Sequence, residues 1–216
     1  MLRRPHALRG VGFSMTSRVH MFIDGFNLYH AVMNDSTLRQ YRWLNFRKLG
    51  ESLIPKREEL SRVFYFTAFY PGDSAKRVRH QTFIDAQRLH GVETVLGAFR
   101  RKDKFCAHCK RTFSGYEEKE TDVNIVSMLF RTAINDEFDK AMILSGDSDL
   151  VPAIQALKAS FPQKELEVVF PPHRVSKHLK MVADRHMRLK EKHLASNQFP
   201  NQIIMGDVTI LKPAQW

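Results

Sequence analysis

The sequence predicts an α/β fold built around a mostly parallel sheet. Short apolar segments typical of buried strands alternate with longer segments that have helical periodicity. Two of these strands, at residues 19–23 and 141–144, run directly into small-residue turns that carry aspartates, and an apolar helical pattern follows each turn. Strands that alternate with helices imply parallel βαβ units with right-handed crossovers.

The elements follow from local composition, taken in chain order. A helix follows Asp24, and residues 34–59 read as a loop with one amphipathic helix. Residues 62–70 are rich in β-branched and aromatic side chains, which predicts a strand. A helix at residues 75–90 is stopped by Gly91, and a third strand is predicted at residues 92–99.

The second half repeats the alternation after a basic segment at residues 100–116, which reads as a loop or a hairpin. A helix at residues 121–134 precedes the strand at residues 141–144, and another helix starts at Leu150. A fifth strand at residues 166–170 ends at two prolines. Residues 173 to about 194 read as a basic helix, and residues 208–211 as a short edge strand.

Composition limits the classes of function. The chain has 216 residues, a formal charge of +11 and a pI of about 9.8, which favours polyanions such as nucleic acid, although a basic surface also occurs without such a role. Two cysteines cannot form a disulfide scaffold, so a cytoplasmic location is expected. No apolar run approaches the ~18 residues of a membrane span, so no membrane partner is expected.

Three regions are expected along the chain. Residues 1–17 contain three arginines and no acid, and are predicted to form a flexible leader, with a transit peptide or a true start at Met15 as alternatives. Residues 18–195 are expected to form one α/β domain. Residues 196–216 are expected to form a tail that packs on it. The oligomeric state is left open.

Four aspartates stand at predicted strand exits and helix starts: Asp24, Asp122, Asp147 and Asp149. In a doubly wound sheet the strands before Asp24 and Asp147 are expected to be neighbours, so that the carboxylates converge at the switch point. A cluster of carboxylate oxygens suits Mg²⁺ or Mn²⁺. Each aspartate also has a structural explanation, because aspartate is a common helix cap. Two further polar residues, Asn27 and Ser145, are expected to hold the carboxylates or bound water.

Three segments carry a family resemblance: residues 23–29 (IDGFNLY), 119–123 (KETDV) and 144–150 (LSGDSDL). Together they resemble the motifs of the NYN domain, in the LabA-like branch of the PIN nuclease superfamily, over roughly residues 18–185. The resemblance implies a PIN-like three-layer α/β/α sandwich and metal-dependent cleavage of RNA. The family's acidic positions correspond to the four aspartates named above.

Cysteine and basic residues mark the segment at residues 100–116. Cys106 and Cys109 have the spacing of a zinc knuckle, but no second such pair exists, so two free thiols are the favoured alternative to zinc. Single-stranded RNA is expected to bind the surrounding basic residues, with Phe105, Phe113 and Tyr116 available for base stacking. These basic residues are Arg100, Arg101, Lys102, Lys104, Lys110 and Arg111. A second basic run comprises Arg174, Lys177, Lys180, Arg185, Arg188, Lys190 and Lys192, for which a solvated helix face is an equal explanation.

The combined hypothesis is a Mg²⁺- or Mn²⁺-dependent endoribonuclease in which the four aspartates are catalytic and bind the metal. Two alternatives remain: a non-catalytic RNA-binding or regulatory module, and a small-molecule enzyme that processes phosphate compounds. An aspartyl-phosphate phosphatase is disfavoured, because the turn at Asp24 lacks a second aspartate two residues later.

Overall fold

The computed structural model describes residues 16–216, although of Lys104 only the backbone. The predicted leader at residues 1–17 therefore lies almost entirely outside the described residues. Within them, the strands are β1 Ser17–Asp24, β2 Glu58–Thr67, β3 Val92–Leu96, β4 Ala98–Phe105, β5 Thr112–Lys119, β6 Lys140–Leu144, β7 Glu165–Phe170, β8 Arg185–Arg188, β9 Gln202–Met205 and β10 Val208–Leu211.

The helices occur close to the positions that the sequence predicts in the first three quarters of the chain. They are α1 Gly25–Met33, α2 Phe46–Leu53, α3 Ser74–Leu89, α4 Thr121–Ile134, α5 Val151–Ser160, α6 Lys177–Val182 and α7 Glu191–Ser196. The bounds of α4 agree with the prediction at both ends. No helix within residues 16–216 combines the length and the apolar character needed to cross a bilayer.

Six strands form the central sheet in the order β3-β2-β1-β6-β7-β8, and every neighbouring pair is parallel. The chain order therefore reverses between β1 and β6, which pair from Val19 opposite Lys140 to Ile23 opposite Leu144. This is the switch point where doubly wound sheets bind their ligands. The predicted α/β class and the predicted neighbours are both confirmed.

Apolar side chains cover both faces of the sheet, so the chain forms three layers. On one face, Ile23 and Tyr65 pack in a cluster with residues of α1, α2 and α3. On the other face, Phe22 and Phe64 pack in a second cluster with residues of α4, α5 and α6. Successive residues of a strand point to opposite faces, which is why adjacent residues of β1 join different clusters.

The basic segment forms a hairpin rather than a loop. β4 and β5 pair antiparallel from Ala98 opposite Lys119 to Phe105 opposite Thr112, in a sheet of their own. The strand predicted at residues 92–99 is therefore divided at Gly97, whose N–H donates to the Thr67 carbonyl at 2.8 Å. Because β5 leads directly into α4, the base of the hairpin lies beside the start of that helix.

Two sequence predictions about the last quarter are wrong. Residues 173–194 do not form one helix, because β8 interrupts them and adds a parallel strand beside β7. Asp184 fixes this interruption: its N–H donates to the Leu166 carbonyl, and its carboxylate accepts from the Leu166 N–H at 2.9 Å. The strand at residues 208–211 is not an edge of the central sheet, since it pairs only with β9 in a separate hairpin. Near the end of the tail, the Trp216 ring lies 5.8 Å from the ring of Trp43.

Candidate metal site at the carboxyl edge of the sheet

Asp24 is the last residue of β1 and is buried. Its carboxylate caps α1 by accepting a hydrogen bond from the Asn27 N–H at 3.0 Å. Its other oxygen accepts a hydrogen bond from Ser145 Oγ, at the end of β6, at 2.8 Å. The capping alternative is thus correct for Asp24, but the cap uses one oxygen, and the other is held toward the neighbouring strand.

Gly25 and Asn27 explain why the turn after β1 has its particular sequence. A Cβ at position 25 would lie 2.5 Å from the Phe66 carbonyl oxygen, so only glycine allows α1 to start this close to β2. The Asn27 side chain accepts a hydrogen bond from the Gly146 N–H at 3.0 Å. The two turns that follow β1 and β6 are therefore joined directly.

The turn after β6 is held by hydrogen bonds within itself. The Asp147 N–H donates to Ser145 Oγ at 3.0 Å, and the Asp147 carboxylate accepts from the Asp149 N–H at 3.0 Å. Asp147, rather than Asp149, therefore caps the short 3₁₀ turn at Ser148–Leu150 that precedes α5. A Cβ at Gly146 would meet the Arg174 carbonyl oxygen at 2.6 Å, which explains the glycine.

Three of the four predicted aspartates meet in space. Asp24, Asp122 and Asp147 each offer one carboxylate oxygen, and these oxygens all lie within 4.8 Å of one another. Asp122 reaches the group from the first turn of α4. Asp149 is exposed and is not part of this group. Among the side chains that the structure describes, no Lys or Arg forms an ion pair with any of the three, so no described cation compensates their charges.

The electrostatics of the site reflect this lack of compensation. Desolvation, followed by the charges of Asp24 and Asp147, raises the pKa of the Asp122 carboxyl to about 6. Burial also raises the pKa of Asp24, although the hydrogen bonds from Asn27 and Ser145 oppose the shift. Like charges this close resist joint ionisation unless a cation or a proton lies between them. Mg²⁺, whose ligand distances are about 2.0–2.1 Å, is one cation that carboxylate oxygens gathered this closely can bind.

Sequence reasoning missed two residues beside the site. Glu118, near the end of β5, accepts hydrogen bonds from the N–H and the hydroxyl of Thr121, and its charge contributes to the raised pKa of Asp122. Arg174 packs its backbone against Gly146. Arg174 was interpreted only for its charge, and Glu118 lies between the basic segment and the KETDV motif, outside both. The two glutamates that directly precede KETDV were a usable signal for Glu118; Arg174 had none.

The hairpin places the first basic run along one extended arm. Arg100 pairs with Glu120 at 3.2 Å, and Lys102 pairs with Glu117 at 2.7 Å, so glutamates of β5 and of the residue after it compensate part of the positive charge. Arg101 donates to Ser114 Oγ at 2.8 Å, and Lys110 and Arg111 are exposed near the tip. The side chain of Lys104 is outside the described part of the chain. The second basic run is divided between the segments around α6 and β8, instead of one helix face.

Cys106 and Cys109 lie in the turn of the hairpin as free thiols. Hydrogen bonds from Cys109 and from the His108 N–H lower the pKa of the Cys106 thiol. Among the described residues no group of three metal-ligating side chains includes either cysteine. Zinc binding at this pair stays a prediction.

Comparison with known proteins supports the fold. The family model described as NYN domain matches residues 18–190. The chain is 24% identical over 241 aligned residues to 6-hydroxy-3-succinoylpyridine 3-monooxygenase HspA from Pseudomonas putida, covering 92% of this chain and 75% of that protein. It is also similar to the crystal structure of VPA0982 from Vibrio parahaemolyticus, a protein of unknown function. That match has a TM-score of 0.56 and 19% identity, and covers 81% of this chain and 94% of the other.

Proposed function

The chain belongs to the NYN domain family, and from that premise we propose that it is a metal-dependent endoribonuclease of the LabA-like branch. The observation that carries the proposal is the group of three carboxylates at the β1–β6 switch point, with no ion-paired lysine or arginine among the described side chains. NYN domains have a PIN-like nuclease fold, and acidic groups at this edge are suited to phosphodiester chemistry.

In this proposal Asp24, Asp122 and Asp147 hold Mg²⁺ or Mn²⁺ directly, and Asp149 contributes through water. A bound divalent ion supplies charge stabilisation for phosphodiester hydrolysis and lowers the pKa of water. Ser145 and Asn27 orient the carboxylate of Asp24, because each donates a hydrogen bond to it. Fixing the ligands in this way favours the ion over the repelling apo state.

RNA is the proposed substrate because the hairpin arm begins beside Asp122. Three exposed aromatic rings, those of Phe105, Phe113 and Tyr116, lie on the arm among its basic residues. A single strand that stacks its bases on these rings and places phosphates along Lys110 and Arg111 would reach the site at the base of the arm. The proposal therefore assigns RNA binding to the arm and cleavage to the acidic group.

One assay tests the proposal. A labelled single-stranded RNA is incubated with purified protein and Mn²⁺ or Mg²⁺, with Asp147→Asn and with Asp207→Asn, a control that neutralises an exposed aspartate in the distant C-terminal hairpin. We expect cleavage by the wild type and by Asp207→Asn, a loss of at least about 100-fold in Asp147→Asn, and none with EDTA. Equal cleavage by the two variants would indicate a contaminating nuclease and count against the proposal. RNA bound but not cut by all three would favour the non-catalytic module.

A second candidate is an enzyme that acts on a small molecule, and one observation favours it. The curated relative at 24% identity is named as a monooxygenase of a substituted pyridine. The acidic group is equally compatible with metal-dependent chemistry on a small substrate, including a phosphate compound. Turnover of p-nitrophenyl phosphate without any interaction with RNA would favour this candidate.

A further inference from the structure

A cavity of about 510 Å³ opens between α1 and α3. Its floor comes from Tyr65 and Thr67 near the end of β2, and the end of the tail, at Gln215 and Trp216, closes one side. Cavities of about 300–1,000 Å³ are typical of sites for small molecules. Nothing in the proposed nuclease chemistry uses this space.

The cavity and the acidic group lie on opposite faces of the sheet. Asp24 follows the alternation of Phe22, which packs on the α4 face, and it contacts the turn after β6 on that side. Tyr65 packs on the other face together with Ile23. None of the three aspartates lines the cavity, so a ligand there would be held by a different set of side chains.

Aromatic side chains are prominent in the lining of the cavity. Nine Phe, Tyr and Trp residues line it, including Phe26 and Tyr29 of α1, Phe83 of α3 and Phe99 of the hairpin. The ring of Phe99 lies 5.6 Å from that of Phe26 and 5.5 Å from that of Tyr70, each edge to face. Rings fixed in this way favour a flat aromatic ligand, which can stack on one ring and meet the edge of another.

The charge on the lining has one sign. The cavity is lined by four cationic residues, Arg42, Lys76, Arg77 and Arg79, and by no aspartate or glutamate. Three of them already have neighbours: Arg42 donates to the Gln215 carbonyl, Lys76 lies 4.0 Å from Asp73, and Arg77 covers the Phe69 ring. Within the described chain Arg79 is half-buried and has neither an ion pair nor a hydrogen bond. A guanidinium in this state is available to pair with an acid group of a ligand.

A neutral polar group lies at the floor. His80 Nε2 lies 3.2 Å from the Tyr65 hydroxyl and 3.3 Å from Thr67 Oγ1. Burial lowers the pKa of His80 to about 4, so its ring is uncharged at neutral pH and offers a hydrogen bond without a competing charge. The floor therefore accommodates a polar ring substituent, while the charge of the ligand is met by Arg79.

We propose that this cavity binds a free small molecule that combines a planar aromatic ring with an acidic group, through stacking on its aromatic walls and an ion pair with Arg79. The proposal does not depend on the nuclease activity, since it uses none of the three aspartates and, of the hairpin arm, only Phe99.

Tryptophan fluorescence can report binding of a ligand in this cavity. Of its two tryptophans, Trp43 is fully buried and Trp216 lines the cavity. The probe is 2-naphthoate, titrated against the whole protein and followed by tryptophan fluorescence and calorimetry. Two matched ligands isolate its parts: 2-naphthamide has the rings without the charge, and decahydro-2-naphthoate has the charge without the aromatic rings.

Binding of 2-naphthoate is expected with a Kd at least about 10-fold lower than for either matched ligand. Arg79→Gln is expected to weaken binding by about 10-fold or more, while Arg88→Gln, an exposed arginine of the same helix that does not line the cavity, leaves it unchanged. Trp216→Phe removes the fluorescence change while calorimetry still detects binding. Asp147→Asn and EDTA have no effect, which separates this site from the metal site.

Three results would overturn the proposal. No binding of 2-naphthoate up to millimolar concentration is the first. Equal affinities of Arg79→Gln and Arg88→Gln, or of naphthoate and naphthamide, are the second, because they remove the role of charge. Competitive displacement of naphthoate by a single-stranded RNA is the third, because the cavity would then belong to the RNA path and not to a free ligand.

Discussion

Both ends of the central sheet gather acidic side chains, but only one end pairs them with a lysine. At the amino ends of β2 and β6, Lys140 lies between two glutamates, with its Nζ 3.0 Å from Glu58 and 2.5 Å from Glu167. All three side chains are buried there. At the carboxyl ends of β1 and β6, Asp24 and Asp147 meet Asp122 without any lysine or arginine partner in the described chain.

The difference separates a structural ion pair from a site. Although burial opposes it, hydrogen bonds with Glu167 and Glu58 raise the pKa of Lys140, so the cation is a permanent part of the fold. Carboxylates at the other end accept hydrogen bonds from neutral donors: Asp24 from the Asn27 N–H and the Ser145 hydroxyl, and Asp147 from the Asp149 N–H. Those donors orient the oxygens but leave the negative charge for a cation from solution. The Lys140 end therefore contributes to stability, whereas the end with the three aspartates retains a charge repulsion that a bound metal ion would relieve.

The largest expected effect comes from removing the internal cation. Lys140→Met leaves Glu58 and Glu167 buried beside each other, and we expect it to lower the free energy of unfolding by about 3–5 kcal/mol, measured by urea denaturation. Lys48→Met, at an exposed position of α2, serves as the control and should change it by less than about 0.5 kcal/mol. Adding Glu58→Gln and Glu167→Gln to Lys140→Met should recover much of the loss. A cost of Lys140→Met as small as that of Lys48→Met would contradict the comparison.

Acid titration requires a separate account of His20, which lies on β1 between the two ends. Its ring is buried 5.3 Å from the ring of Phe138 and 5.7 Å from that of Phe64, and burial, followed by the charge of Arg62, lowers its pKa to about 4. The ordinary value is 6.5, so between about pH 6.5 and 4 the unfolded chain binds a proton that the folded chain excludes. Stability from this residue is therefore complete above pH 6.5 and is lost as the pH falls toward 4.

Replacing His20 removes its contribution to the pH dependence of stability, so the acid sensitivity that remains comes from other groups. His20→Phe is expected to remove about 3 kcal/mol of the stability change between pH 7 and pH 4, measured by urea denaturation at a series of pH values. Part of the acid sensitivity should persist, because His80 also has a pKa lowered to about 4. An unchanged slope in His20→Phe would show that its ring is protonated without cost in the folded state.

A metal titration distinguishes the two ends most directly. At a Mn²⁺ concentration of about 100 times Kd, the wild type should gain about 2.7 kcal/mol in free energy of unfolding, and Asp147→Asn should gain little. Without metal, Asp147→Asn should be at least as stable as the wild type, because one of three repelling charges is gone. Lys140→Met should retain its Mn²⁺ response despite its lower stability. Calorimetric scans with and without Mn²⁺ measure all three; equal gains by the wild type and Asp147→Asn would place the ion elsewhere.

The sequence predicted the acidic end better than the paired end, for physical reasons. Asp24 and Asp147 each follow a buried apolar strand, and parallel strands bring such exits together, so local pattern and topology suffice. Lys140 gave no such signal, because its partners come from strands that are distant along the chain. The misread helix at residues 173–194 has the same origin: Asp184 ends α6 through hydrogen bonds to Leu166, a tertiary contact that overrides local propensity.

The smallest of the expected effects tests whether orientation by neutral donors matters at the acidic end. Ser145 links the Asp24 carboxylate to the backbone of Asp147, since its hydroxyl donates to Asp24 and accepts from the Asp147 N–H. Ser145→Ala should weaken Mn²⁺ binding by about 10–100-fold, as measured by calorimetric titration, because residues that orient ligands act at this scale. Ser148→Ala, an exposed neighbour in the same turn, should leave the affinity unchanged. If both variants bind Mn²⁺ like the wild type, charge alone assembles the site, and the hydrogen bonds that distinguish this end from the Lys140 end serve only to cap α1 and the turn.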